Sequence, residues 1–229
     1  MLDFKTYFVT KKTVKLIFIT PIITTLLISL LFAFPSTNDF GFWLLKENSP
    51  IELLTFIIFL CSGIYGIHLT LKVKALLKNE IKFFLIFFSI CLILIAMEEI
   101  SWGQWFFHFE TPTDWAKING QGETTLHNIK GMQGNSEILR MIFGLGGIFG
   151  IMLRYFKRYK IISAPPALIS WFLIIFIHAA IDYIQDKISI SVQYDFAIVK
   201  TSEFIELLIA GSSFFYLWLN FKKLGREIM

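Results

Sequence analysis

The chain has 229 residues, 55% of them hydrophobic and 26 of them Phe, with a mean hydropathy of +0.66. That composition excludes an ordinary soluble domain, and the absence of alternating strands of about ten residues excludes a transmembrane barrel. The net charge of +4 points to no nucleic acid, because the basic residues fall in short clusters between apolar runs, and the lack of a G-x-x-x-x-G-K excludes a nucleotide loop.

In chain order the apolar runs predict about six spans, 16–34, 51–70, 83–105, 137–153, 164–184 and 201–220. Each is close to the roughly 20 residues that cross a hydrocarbon core of about 30 Å. The first is read as an anchor: its apolar stretch is long, and "FAFPS" lacks a signal-peptide cleavage pattern. The second carries Glu52 in its first turn, with Ser62 and Gly66 spaced for close helix contact. The third ends in "AMEEISWGQWFF", which sets Glu98 and Glu99 near lipid. The fourth opens with Arg140 and contains "GLGGIFG", where Gly146 and Gly150 give a second small-residue pair. These faces suit packing within the chain, a homo-oligomer or a membrane partner. Cys61 and Cys91 lie inside spans without a CxxC and read as packing residues.

The linkers fix the expected orientation. The N-terminus through Lys15, the 71–82 linker, "RYFKRYK" at 154–160 and the tail after Asn220 hold 15 of the 21 Lys and Arg. Segments 35–50, 106–136 and 185–200 hold five. The two sets alternate strictly, so the positive-inside rule predicts both termini in the cytoplasm. The fold class is therefore an all-α polytopic membrane helix bundle, a single transmembrane domain over 1–229. The carboxylates sort oppositely, with 14 of 17 in the outer segments or outer span ends.

This orientation puts the intramembrane polar residues at one level. Glu98 and Glu99 lie about 22 Å along the third span, and His178 about 21 Å along the fifth, with Asp182 one turn beyond. "HAAID" sets His178 and Asp182 on one helix face, and "EFIE" does the same for Glu203 and Glu206. An ionisable group in a span costs at least about 2.5 kcal/mol, so several at one depth are expected to face one another, water or an ion. The long 106–136 connection is expected to cap them. Its "TPTDWAKI" predicts a short interfacial helix started by Thr or Asp, and "NGQGETTLHNI" brings His127 over the acids.

Two blocks carry a resemblance. "EEISWGQ" at 98–104 and "NGQGETTLHN" at 119–128 resemble a family of uncharacterised bacterial multi-span membrane proteins with an E-E-x-S-W-G-Q block followed by Q-G-E-x-x-L-H-N; "ENSPIELLT" at 47–55 is similar too. The resemblance implies a bacterial cytoplasmic (inner) membrane and supplies no reaction. A fainter similarity links the chain to the membrane hydrolases that include the alkaline ceramidases, which hold zinc with His, Asp and Ser. This chain lacks their paired H-x-x-x-H helix and counts one span fewer.

Three functions are weighed on these residues. In a metal-dependent membrane hydrolase, His127, His178, Asp182 and Glu203 supply zinc ligands, while Glu98, Glu99 and Glu206 do acid–base work on a lipid-linked or extracytoplasmic substrate. Without metal, close carboxylates alone serve acid–base chemistry. In a structural protein, the buried acids pin the outer loop. In a proton- or ion-coupled transporter, polar residues must continue into the other half of the membrane, where Ser62, His68 and Thr70 are the candidates. The expected partners are membrane lipid and other membrane chains.

Overall fold

The computed structural model describes residues 5–46, 48–75, 77–120, 122–126, 129, 136–185 and 192–226, with the side chains of 192–197 and 226 excepted. The chain forms α1 (Lys11–Ala33), α2 (Pro35–Leu44), α3 (Pro50–Lys72), α4 (Asn79–Glu99), α5 (Gln104–Phe107), α6 (Thr113–Ile118), α7 (Ser136–Met152), α8 (Ile169–Gln185) and α9 (Val192–Arg226). Six of these elements, α1, α3, α4, α7, α8 and α9, are long and apolar enough to cross a membrane. The protein is built as a multi-pass membrane protein.

Helix α9 is the central element. Of its apolar window 67% is buried, against 17% for α1 at the periphery. The hairpin α3–α4 packs on one side of α9 through α3, and the hairpin α7–α8 packs on the other through α8; α1 leans on α2 and α8. Glycine sets the hairpin distances. A Cβ at Gly63 would meet the Ser89 carbonyl at 2.6 Å, and one at Gly144 would meet the Phe172 carbonyl at 2.9 Å. Small residues permit such close approach, and dispersion then holds the helices. The expected Gly146 and Gly150 pair is corrected: the α7–α8 seam uses Gly144 and Gly147, while Gly146 has nothing within 4 Å.

Proline places α1. Pro21 lacks an N–H, so the Ile17 carbonyl loses its helical donor. The Trp171 indole of α8 donates to it instead at 2.7 Å, and the Ser170 hydroxyl donates to the Phe18 carbonyl at 2.7 Å. An unsatisfied carbonyl in lipid costs several kcal/mol, so these two bonds fix where α1 docks.

Two further expectations are corrected. Segment 35–50 contains α2, opened by Pro35 at its first position. The third span ends at Glu99, not at 105, because Ser101, Trp102 and Gly103 take positive φ values of 47°, 55° and 91°. That left-handed stretch cannot continue a right-handed helix. The interfacial helix is found at Thr113–Ile118, although no side chain caps its start.

The linkers separate the bundle into two ends. At the basic end, Lys223 Nζ donates to the Lys160 carbonyl at 2.7 Å, Tyr216 OH donates to the Ile162 carbonyl at 2.9 Å, and Arg158 pairs with Glu80. Glu52 of α3, Glu98 and Glu99 of α4, Asp182 of α8 and Glu203 and Glu206 of α9 belong to the other, acidic end.

Candidate functional site

The acidic end is built in two layers. The upper layer joins the two blocks singled out in the sequence. Glu98, in the last turn of α4, accepts from the Trp102 indole and from the Leu126 backbone N–H at 2.7 Å. Ser101 Oγ donates to Glu123 at 3.2 Å. Gln104 uses both ends of its amide: Nε2 donates to Thr111 Oγ1 at 2.8 Å, and Oε1 accepts from the Thr124 N–H at 3.0 Å and the Thr124 hydroxyl at 2.9 Å. Asn119 closes the loop on itself, donating to the Thr125 carbonyl at 2.9 Å and accepting from the Glu123 N–H at 3.2 Å. The E-E-x-S-W-G-Q block is thus a clamp, and the following block is the loop it holds. The left-handed turn aims Ser101 and Gln104 at that loop.

The lower layer is a carboxylate cluster around one guanidinium. Arg140 of α7, 6% exposed, donates to Asp182 of α8 at 2.7 Å, to Glu206 of α9 at 3.5 Å and to Ser136 at 3.3 Å. Gln185 donates to the other Asp182 oxygen at 3.1 Å. Glu99 lies within Coulombic reach of Glu206, Glu203, Glu52 and Glu98. Among the described residues no hydrogen-bond donor to Glu99 is found. Glu52, in the first turn of α3, accepts from the Asn48 N–H just ahead of that helix. His178 Nε2 lies 2.9 Å from Thr201 Oγ1. The Thr201 hydrogen is directed to the Ile198 carbonyl at 2.9 Å, so Nε2 is the donor and Nδ1 keeps its lone pair. That Nδ1 is buried and has no partner among the described residues.

Six of the seven site residues named from the sequence meet in this network; His127 lies outside the described residues. Their surroundings separate them. Glu98 is engaged by the loop, and Asp182 by Arg140 and Gln185. Glu99 of α4 lies within Coulombic reach of Glu203 and Glu206 of α9. A zinc site does not fit the described residues: the guanidinium occupies Asp182, and no three His, Cys, Asp or Glu side chains converge as ligands. In the other half of the bundle, Ser62 and Thr70 donate to carbonyls of their own helix.

Arg140 is the residue the sequence reading left out. It entered there only as a charge to be counted. The usable signal was a lone cation five residues into a span, at the level of the intramembrane acids, where an unpaired charge is costly. Comparison with protein-family models, with curated proteins and with solved structures finds no match to this chain.

Proposed function

We propose that this chain is a bacterial inner-membrane enzyme that carries out acid–base chemistry on a lipid-linked or extracytoplasmic substrate, with the acidic end outside and both termini in the cytoplasm. The basic linkers support that orientation through the positive-inside rule. The observation that carries the reading is Glu99 set among Glu52, Glu203 and Glu206, with Arg140 alongside. Several carboxylates drawn from three helices repel one another and lose hydration, a cost that packing alone does not require. In such a set one carboxylate takes a proton while its neighbour gives one, provided their surroundings differ. Here they differ: Glu206 touches the guanidinium and Glu99 does not.

Glu206, kept ionised by Arg140, is then the general base that takes a proton from water or a substrate hydroxyl. Glu99, set among like charges, holds a proton and is the partner acid that gives it to the leaving group, and Glu203 orients the substrate. Glu98 becomes a positioning residue, because its carboxylate is engaged by the loop. The test is reconstitution in vesicles of total bacterial polar lipid in ¹⁸O-water, followed by mass spectrometry of the lipids. The wild-type protein is expected to release ¹⁸O-labelled product, and Glu99→Gln to lower the rate about 100-fold or more while the protein still folds. An unchanged lipid extract, or a Glu99→Gln variant as fast as wild type, overturns the reading.

A second reading has its own support. The clamp from Glu98, Ser101 and Gln104 to the 122–126 segment is what a structural role for the acids requires. It accounts for Glu98, and for Glu206 through Arg140, but gives Glu99 no role.

A further inference from the structure

A groove of about 410 Å³ opens between α1 and α3 and runs along α9. Its walls are Thr20 and Thr24 of α1 and Leu54, Ile57 and Cys61 of α3, and its floor is Trp171 with the α9 face. The lining is apolar for definite reasons. Thr20 donates its hydroxyl to the Leu16 carbonyl at 2.8 Å and Thr24 to the Thr20 carbonyl at 2.9 Å, which leaves their methyl groups outward. The Trp171 N–H is held by the Ile17 carbonyl, so only ring carbons remain to face the groove. Gly211 lets that ring lie flat on α9, since a Cβ there would meet it at 2.7 Å. Leu54 and Ile57 are 44% and 45% exposed, so the groove opens sideways onto the surrounding lipid.

The α9 face in the groove continues upward into charge. Phe204 and Leu207 line the groove, and one turn above them on the same face stand Lys200 and Glu203. Glu203 is also a neighbour of Glu99. Along α9, the apolar groove open to lipid is therefore followed, one turn on, by one cation and one anion.

We infer that the groove binds one acyl chain of a phospholipid whose headgroup carries both a phosphate and a primary amine, with the phosphate toward Lys200 and the ammonium toward Glu203. Charge complementarity selects this occupant. A headgroup with phosphate alone satisfies Lys200 and meets repulsion from Glu203 and Glu99. A quaternary amine satisfies the charge but has no N–H to donate to a carboxylate. The inference rests on the proposed function in one respect: it names the class of lipid brought to Glu99.

The test uses the full chain in nanodiscs with trace phospholipids carrying a diazirine in one acyl chain and ethanolamine, choline or glycerol headgroups. After irradiation, labelled peptides are mapped by mass spectrometry. The ethanolamine lipid is expected to label the Thr20–Thr24 and Leu54–Cys61 segments several-fold more than the other two. Filling the groove with Cys61→Trp, on an exposed position that leaves the core untouched, is expected to abolish that excess. Glu203→Gln is expected to bring the ethanolamine and glycerol lipids to equal labelling without emptying the groove. Equal labelling by all three lipids in the wild-type protein, or labelling no denser in the groove than on Leu26, Phe83 and Leu139 of the outer surface, overturns the inference. The experiment reads binding without turnover, so its failure leaves the isotope test of the acid–base site standing, and the reverse also holds.

Discussion

Two arginine–carboxylate pairs mark the two ends of this bundle, and they differ in nearly everything but chemistry. Arg158 and Glu80 meet at the basic end with side chains 59% and 41% exposed; Arg140 and Asp182 meet at the acidic end with side chains 7% and 9% exposed. The first joins two linker-proximal residues in water, where Coulomb attraction is weak and screened. The second links α7 to α8, and through Glu206 to α9, where neither charge has water to fall back on. The rest of each end follows suit. The basic end satisfies itself with backbone carbonyls, as Lys223 and Tyr216 do. The acidic end concentrates like charges. A fold needs the first arrangement; the second adds cost, and so points to use.

Four substitutions break or sharpen this contrast, in descending order of effect. Arg140→Met is expected to destabilise by about 3–5 kcal/mol, since it removes the cation that offsets the buried Asp182 carboxylate. Thermal unfolding in detergent checks it, and adding Asp182→Leu should recover most of the loss. Lys223→Met at the basic end is expected to cost about 1.5–3 kcal/mol by freeing the Lys160 carbonyl; a loss equal to that of Arg140→Met would erase the distinction between the ends. Glu98→Gln should cost about 1 kcal/mol and speed amide exchange at Leu126, because a carboxamide keeps one acceptor oxygen in place of two. Exchange unchanged at that amide would mean the clamp does not hold the loop. Arg158→Gln is expected to leave unfolding unchanged within error.

How far the sequence carried the architecture depended on whether the signal was local. Apolar run length and linker charge located all six long helices, because hydropathy and Lys/Arg counts are summed along the chain. That Glu98, His178, Asp182 and Glu203 belong to one end of the bundle was expected from helical rise alone; the division into two layers was not. The end of α4 was missed because Trp105, Phe106 and Phe107 prolong the apolar run beyond the turn, and neither Ser101 nor Trp102 announces a left-handed conformation. The glycine seam was missed by two residues: "GLGGIFG" offers several small-residue spacings, and only the Phe172 and Phe176 backbone decides among them. Arg140 was missed because its meaning lies in partners 42 and 66 residues away. The hold of Glu98 on the loop was among the readings weighed from the sequence, in which the buried acids pin the outer loop; the parts that Ser101 and Gln104 take in it were not.

The turn after α4 leaves a mark that descent should preserve. Gly103 sits at φ 91°, where any side chain is strained, and a Cβ there would press within 3.1 Å of the Phe107 ring. Ser101 and Trp102 are strained but passable, and Asn or Asp should replace them in some lineages. Any homologue that retains the hinge should therefore keep glycine there and tolerate no insertion between 100 and 104, whatever drift has done to the lipid-facing residues around it.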